Sequence, residues 1–420
     1  AMRNIAAGAT MLIVQYADKV KIDDKPSQVC VLQVDNTLTA LQELAYDYRN
    51  WLADEHVKVI AVGGSNGKTT TRHLIHTVLS AKWKGSQSPK SFNNHIGVPL
   101  TLLAANVHDD FVVVEVGTNH PGEIQALANI VRPDGAVLTN IGHEHMAFFQ
   151  TLQNVVQEEA CLLFSIADDG IAVIHADAYA MIKAVVDLPN DLPLLLYDDQ
   201  ATEHACDLQI TGQGAWFTGK KLVFTVNNKL EYELPLVSQH DAVNSLAAIA
   251  IGRWMGIEEP LIQNALAKAT GMPMRMQVIQ VGSASSGVTV IHDAYNANPD
   301  SMAAALSQWI TFPKLDTTPP YENPSRRVAI LGDMLELGDQ GPDLRRGGPA
   351  GGGRVPRQHR RAGGSGRTQS RRADQRWAGG DVAHQLQAGR RQHVRDQGPD
   401  HQCRGFPGGR RVPGQFRGGG

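Results

Sequence analysis

The segment Gly63-Gly64-Ser65-Asn66-Gly67-Lys68-Thr69-Thr70 constrains this chain more than any other. It follows the β-branched run Val57–Val62 and opens the amphipathic window Thr69–Ala81, so a strand must enter a tight turn and leave as a helix. That is the phosphate-binding turn of a doubly wound parallel sheet. Glycines let successive N–H groups point at a phosphate, and the helix N-terminus adds positive potential. Lys68 can then reach terminal phosphates, and the Thr69 hydroxyl can hold Mg²⁺. The usual G-x-x-x-x-G-K-[ST] spacing wants glycine at position 62, where Val62 stands. A glycine turn with a solvated lysine is the bland alternative, and the coincidence of strand, glycines, Lys-Thr and helix argues against it.

The pattern around this turn repeats. Strands are predicted at Val57–Val62, Phe111–Val116, Ala136–Thr139 and Ile171–Ile174, with helices near Thr69–Ala81, Gly122–Ile130 and Leu152–Phe164. Residues 1–55 form a small α/β segment with an apolar run at Cys30–Val34 and a helix near Leu38–Leu52. Short strands and turns fill 205–236, and Asp241–Met255 is a helix with a small-residue face. A further unit starts near Met274, with a strand at Val288–His292, a helix after Pro299 and a strand at Arg327–Leu331.

Composition separates this body from the tail. Residues 341–420 hold 17 Arg and no Lys against 5 Asp and no Glu, a balance of +12, and the net charge of −3 leaves −15 for residues 1–340. The tail also holds 20 of the 41 Gly and contains no Lys, Asn, Ile, Met or Tyr, the types with AT-rich codons. Such a segment has too little apolar surface to offset ordering and is expected to be disordered. Out-of-frame translation of a GC-rich message from about Gly341 accounts for both the enrichment and the missing types. A solvated tail and an Arg/Gly-rich nucleic-acid-binding extension are the alternatives, the latter with just Trp377, Phe406 and Phe416 to stack on bases. No apolar run of 18 residues and no signal sequence is present, so a cytoplasmic protein is expected. Four dispersed cysteines without a C-x-x-C pair argue against a zinc site or a disulfide framework.

Further chemistry falls at predicted strand ends. Glu115 interrupts an apolar strand, where a carboxylate needs a partner, either Mg²⁺ or a backbone or lysine donor. His143 and His145 follow the next strand beside the phosphate turn, and His145 is a candidate metal ligand against a surface or capping role. Phe92–Pro99 reads as a polar turn before a proline-started helix. In His292-Asp293-Ala294-Tyr295-Asn296-Ala297-Asn298-Pro299, Asn298 is a good N-cap, while Asp293 and Asn296 can face a ligand across a cleft.

Together these segments resemble the Mur ligases, the ATP-dependent amide ligases of peptidoglycan precursor synthesis. The resemblance is carried by Gly64–Thr69, Phe92–Leu103, Glu115–Ile124, His240–Asn244, Tyr295–Met302 and Gly332–Gly338, in family order over roughly residues 1–340. Asn-Asn-His-Ile-Gly-Val-Pro and Tyr-Asn-Ala-Asn-Pro point within the family to the step that joins D-alanyl-D-alanine to UDP-N-acetylmuramoyl-tripeptide. They speak against an earlier Mur step or a folate polyglutamate-type ligase.

The resemblance implies an α/β, Mur ligase-like three-domain architecture. A partial UDP-sugar-binding domain occupies 1–55, a central P-loop parallel-sheet ATPase domain 56–273, a partial Rossmann-like C-terminal domain 274–340, and the tail 341–420. It implies ATP and Mg²⁺ as cofactors, an acyl-phosphate route, no membrane or nucleic-acid partner and a monomer. It also implies ATP contacts from Gly64, Ser65, Asn66, Gly67, Lys68, Thr69, Thr70, Asn244, Arg275 and Asp293. Catalysis would involve Lys68, Glu115, His145 and Glu159, with Thr69, Glu115 and His145 on the metal. Substrate would meet Asn93, Asn94, His95, Asn119 and Asn296. Three departures stand out. The family's carbamylated lysine is absent from Gln157–Leu162, where Glu159 can offer equivalent charge. The first domain is short of its opening strands, and the third loses its second half to the tail.

Overall fold

The computed structural model describes residues 8–16, 29–199, 206–218, 221–282, 288–312, 328–332 and 334, all within one compact unit. The proposed tail at 341–420 lies outside them.

Strands β1 (Met11–Val14) and β2 (Cys30–Gln33) form a parallel pair, followed by α1 (Thr37–Asp54). Asn36 caps α1 by accepting from the Leu38 and Thr39 N–H groups. The alternation that follows is β3 (Lys58–Gly63), α2 (Lys68–Leu79), β4 (Gly85–Gln87), α3 (Gly97–Ala104), β5 (Phe111–Glu115), α4 (Glu123–Val131) and β6 (Gly135–Leu138). Next come α5 (Met146–Phe149), α6 (Leu152–Ala160), which tightens into a 3₁₀ turn over Cys161–Ser165, β7 (Ile171–His175), α7 (Ala176–Lys183) and β8 (Leu194–Asp198). Then β9 (Leu208–Phe217), β10 (Leu222–Val226) and β11 (Leu230–Leu234) complete a nine-stranded sheet ordered β11-β10-β9-β8-β7-β6-β3-β5-β4. Pairing is parallel from β4 to β9 and antiparallel from β9 to β11.

The four expected strands and three expected helices of this region are all present, within a few residues of the expected ends. Their near-continuous apolar character has a physical cause, since both sheet faces are buried. Val59, Ala61, Val112 and Val114 face one core, shared with α1 and α3 to α6. Ile60, Val62, Phe111 and Val113 face the other, under α2, α8 (Gln239–Trp254) and α9 (Glu259–Leu266). Helix α1 belongs to the first core through Ala45 and Leu52 and is fixed by Arg49, which donates to the Val131 and Arg132 carbonyls and to Asp134 Oδ2.

In the third unit the expected strand Val288–His292 and the helix after Pro299 are both present. Its described part is an antiparallel hairpin, β12 (Gln277–Val281) with β13 (Val288–His292), and α10 (Pro299–Thr311). Of the strand expected at Arg327–Leu331 the described residues are Val328–Leu331, which carry no strand pairing, and Ile330 is 94% exposed. An apolar run becomes a strand when a neighbour supplies hydrogen bonds and a covering layer, and no described strand pairs with this one.

Candidate functional site

The phosphate loop stands at the carboxyl end of β3, where doubly wound sheets hold ligands. Gly64 (φ 108°) and Gly67 (φ 86°) turn the chain through left-handed conformations. A Cβ on Gly64 would strike Thr139 Oγ1 and the Asn140 carbonyl, and one on Gly67 would lie 2.7 Å from Asn244 Oδ1. Both positions therefore need glycine, and Asn244 stands against the loop at Gly67.

Helix α2 begins at Gly67 with no side-chain cap, which leaves its first N–H groups, those of the Lys68, Thr69 and Thr70 turn, for a ligand. Earlier loop amides are already engaged. Gly64 N–H donates to Glu159 Oε2 (2.7 Å), Ser65 N–H to the Asn140 carbonyl (2.8 Å) and Asn66 N–H to Asn140 Oδ1 (2.7 Å). Lys68 Nζ donates to the Gly64 and Ser65 carbonyls and pairs with Glu144 Oε2 at 3.4 Å. Desolvation opposes its charge, but Glu144, Glu159 and Glu115 outweigh this and hold its pKa above the usual lysine value. Glu159 is completely buried, and desolvation followed by the Glu144 charge pushes it up to about 8.

Glu115 is buried at the end of β5. Its Oε1 accepts from Asn93 Nδ2 (3.0 Å), and its Oε2 lies 3.4 Å from Arg72 Nε. The cation beside it is thus an arginine of α2. Glu115 Oε2, Glu144 Oε1 and Glu159 Oε1 are buried with no hydrogen-bond partner. Three such oxygens around one lysine fit a site completed by a divalent cation, which takes oxygen ligands. They are not drawn into a tight cage. Among the described residues the grouping of three His/Asp/Glu donors within 4.8 Å of one another is His175, Asp198 and Asp199, at the ends of β7 and β8. There His175 Nδ1 accepts the Asp177 N–H, which leaves the ring proton on Nε2 facing Asp198. His145 is half-buried at φ 46°, at the N-terminus of α5.

Later segments converge on the loop. Arg275 Nη2 approaches Thr69 Oγ1 (3.5 Å) while its guanidinium lies 4.3 Å over the Tyr295 ring. Asn298 caps α10 through the Ser301 N–H and donates from Nδ2 to Asn66 Oδ1 (2.7 Å), so it serves as cap and loop contact together. Asp300 accepts from the His143 N–H (3.0 Å). Asp293 accepts the Met276 N–H (3.1 Å) and faces Asp241, which desolvation pushes up to about 7, with Asp293 adding to the shift.

The remaining predicted residues lie nearer the rim. Asn94 Oδ1 accepts the Ile96 and Gly97 N–H groups at the start of α3. His95 is exposed and offers its carbonyl to Gln42 Nε2. Asn119 N–H donates to Glu123 Oε2, and the exposed Asn296 accepts the Ala297 N–H. Sequence reasoning missed Arg72, Asn140, Glu144 and Asp300. Glu144 was legible as a carboxylate next to the singled-out histidines, whereas the pairing of Arg72 with Glu115 joins elements 43 positions apart and has no local signature.

A glycine turn with an uncapped helix start, at the carboxyl ends of a doubly wound sheet, defines a phosphate-binding-loop α/β protein. The profile of the Mur ligase middle domain matches residues 62–252, and that of the "Mur ligase, glutamate ligase domain" matches 274–350. A UDP-N-acetylmuramoyl-tripeptide–D-alanyl-D-alanine ligase of Bacillus subtilis is 34% identical over 320 residues, covering 76% of this chain and 64% of that protein. Among solved structures, MurF from Acinetobacter baumannii aligns with a TM-score of 0.65 at 26% identity, over 81% of this chain and 69% of that one. MurF from Thermotoga maritima, solved with ADP, aligns with a TM-score of 0.65 at 24% identity over 80% and 71% and shares the fold. The chain belongs to the Mur ligase family. It spans slightly less than two thirds of the length of the first curated relatives it matches.

Proposed function

We propose that this chain is an ATP-dependent amide ligase that joins D-alanyl-D-alanine to UDP-N-acetylmuramoyl-tripeptide in the cytoplasm. The observation that carries this reading is the convergence of Asn298 on Asn66, Asn244 on Gly67 and Arg275 on Thr69, around the uncapped start of α2. Helix-end amides and Lys68 would receive the ATP phosphates, Arg275 and Asn244 the rest of the nucleotide, and Asp293 its ribose. Thr69, Glu115 and His145 would hold Mg²⁺, with the unpaired oxygens of Glu144 and Glu159 close by. The ion would neutralise phosphate charge as the tripeptide carboxylate is activated. Asn93, which donates to Glu115, would link the rim of Asn94, His95, Asn119 and Asn296 to that centre. In this reading residues 1–55 serve the UDP-sugar, 56–273 bind ATP, 274–340 close over it, and 341–420 form a tail without a catalytic part.

Phosphate release from ATP and Mg²⁺ by the purified chain, with each acceptor alone and with both, tests this. Release that requires UDP-N-acetylmuramoyl-tripeptide and D-alanyl-D-alanine together is expected. Release with a different acceptor pair would move the chain to another ligation step. Salt-sensitive nucleic-acid binding without turnover would favour a role built on the basic tail.

A further inference from the structure

We propose that Glu159 is a positioning residue that holds the phosphate loop in its binding shape by accepting the Gly64 N–H, acting through the loop and Lys68 and not by touching nucleotide. The proposal rests on reading the loop as an ATP site.

Glu159 lies in the last turn of α6 with no exposed surface, and its Oε2 is 2.7 Å from the Gly64 nitrogen. That nitrogen belongs to the residue whose positive φ turns the chain away from β3. The next two amides, Ser65 and Asn66, are held by Asn140. Three consecutive N–H groups are therefore tied to protein acceptors, and the ligand is left with those at the start of α2. The loop thus divides into a pinned part, Gly64–Asn66, and a receiving part, Gly67–Thr70.

Among these three pins the Gly64 one stands alone as supplied by a glutamate, reaching from the last turn of α6, while Asn140 supplies the other two. The same carboxylate adds to the field that keeps Lys68 charged while its Nζ is held by the Gly64 and Ser65 carbonyls. A buried carboxylate with a second oxygen unpartnered is costly, so its place under the loop calls for a reason that packing does not supply. Pinning Gly64 provides one.

Two variants of the full chain separate reach from charge. Glu159→Asp keeps the charge and withdraws the oxygen by one methylene; Glu159→Gln keeps an acceptor at the same reach and removes the charge. Amide hydrogen exchange of residues 62–68 and the ATP dissociation constant by calorimetry, in EDTA and in Mg²⁺, are the readouts. Glu159→Asp is expected to speed loop exchange and weaken ATP about tenfold or more in both buffers. Glu159→Gln is expected to recover most of that loss. A Gln variant worse than Asp, or a loss confined to Mg²⁺, would make the charge or a metal the point and overturn the proposal, as would wild-type behaviour in both. If the wild-type chain binds no ATP, the ATP-site reading fails while the exchange data still decide the pin. Should the Asp variant not fold, loop protection in the Gln variant supports the pin and its loss overturns it.

Discussion

The central sheet and the third-unit hairpin reach the same site by opposite means. From β3 to β7 the strands are covered on both faces, and the loop is carried on a sheet that cannot move without opening two cores. The β12–β13 hairpin leaves Val281 and Val288 more than half exposed, yet it sits between Arg275, which approaches Thr69, and the Asn298–Asp300 segment, which bonds Asn66 and the His143 N–H. The two sides of the site are therefore held by different means, buried apolar layers on one and largely exposed elements with polar contacts on the other.

The largest expected effect tests whether the two regions differ in stability as their burial says. Val113→Asp would place an unpaired charge in the second core and cost more than about 4 kcal/mol, enough to abolish cooperative unfolding of the chain. Val290→Asp on the hairpin should change stability by about 1 kcal/mol or less. Thermal or denaturant unfolding of both variants checks this, and equal losses would mean the hairpin is part of the core.

Next comes chemistry carried by the sheet side. Lys68→Ala should lower ATP turnover by about 100-fold or more, because one preorganised cationic donor is lost, while Tm stays near wild type. Measured together, the rate and the melt distinguish a binding group from a structural one.

The smallest effect is one of pH. Glu159 has a folded-state pKa of about 8, above its unfolded value near 4.5, so its contribution to stability is complete below about pH 4.5 and is lost as pH rises through 8. Glu159→Gln does not ionise, so its Tm should gain on wild type by a few degrees between pH 5 and 8.5. A constant gap would show that Glu159 does not carry its proton into the neutral range.

Particular residues show how much could be read in advance. The loop, its strand and α2 were legible because each has a local cause: β-branched residues for a strand covered on both faces, glycines at positive φ, and Lys-Thr at a helix start. Asn298 as the cap of α10 was legible for the same reason. The run at Arg327–Leu331 reads as a strand by composition, while its described residues Val328–Leu331 carry no strand pairing, because strand formation needs a neighbour that composition does not reveal.

The amino-acid sequence by itself determined the parallel sheet and the place of the glycine loop, since these follow from short-range periodicity and spacing, and its motifs carried the resemblance to the family. The tertiary structure alone decided which charges meet. It placed Arg72 on Glu115, Glu159 under Gly64, and Asp300 beside His143. Those pairings depend on distances between elements far apart along the chain, which the packing of helices on the two sheet faces sets and no local pattern encodes.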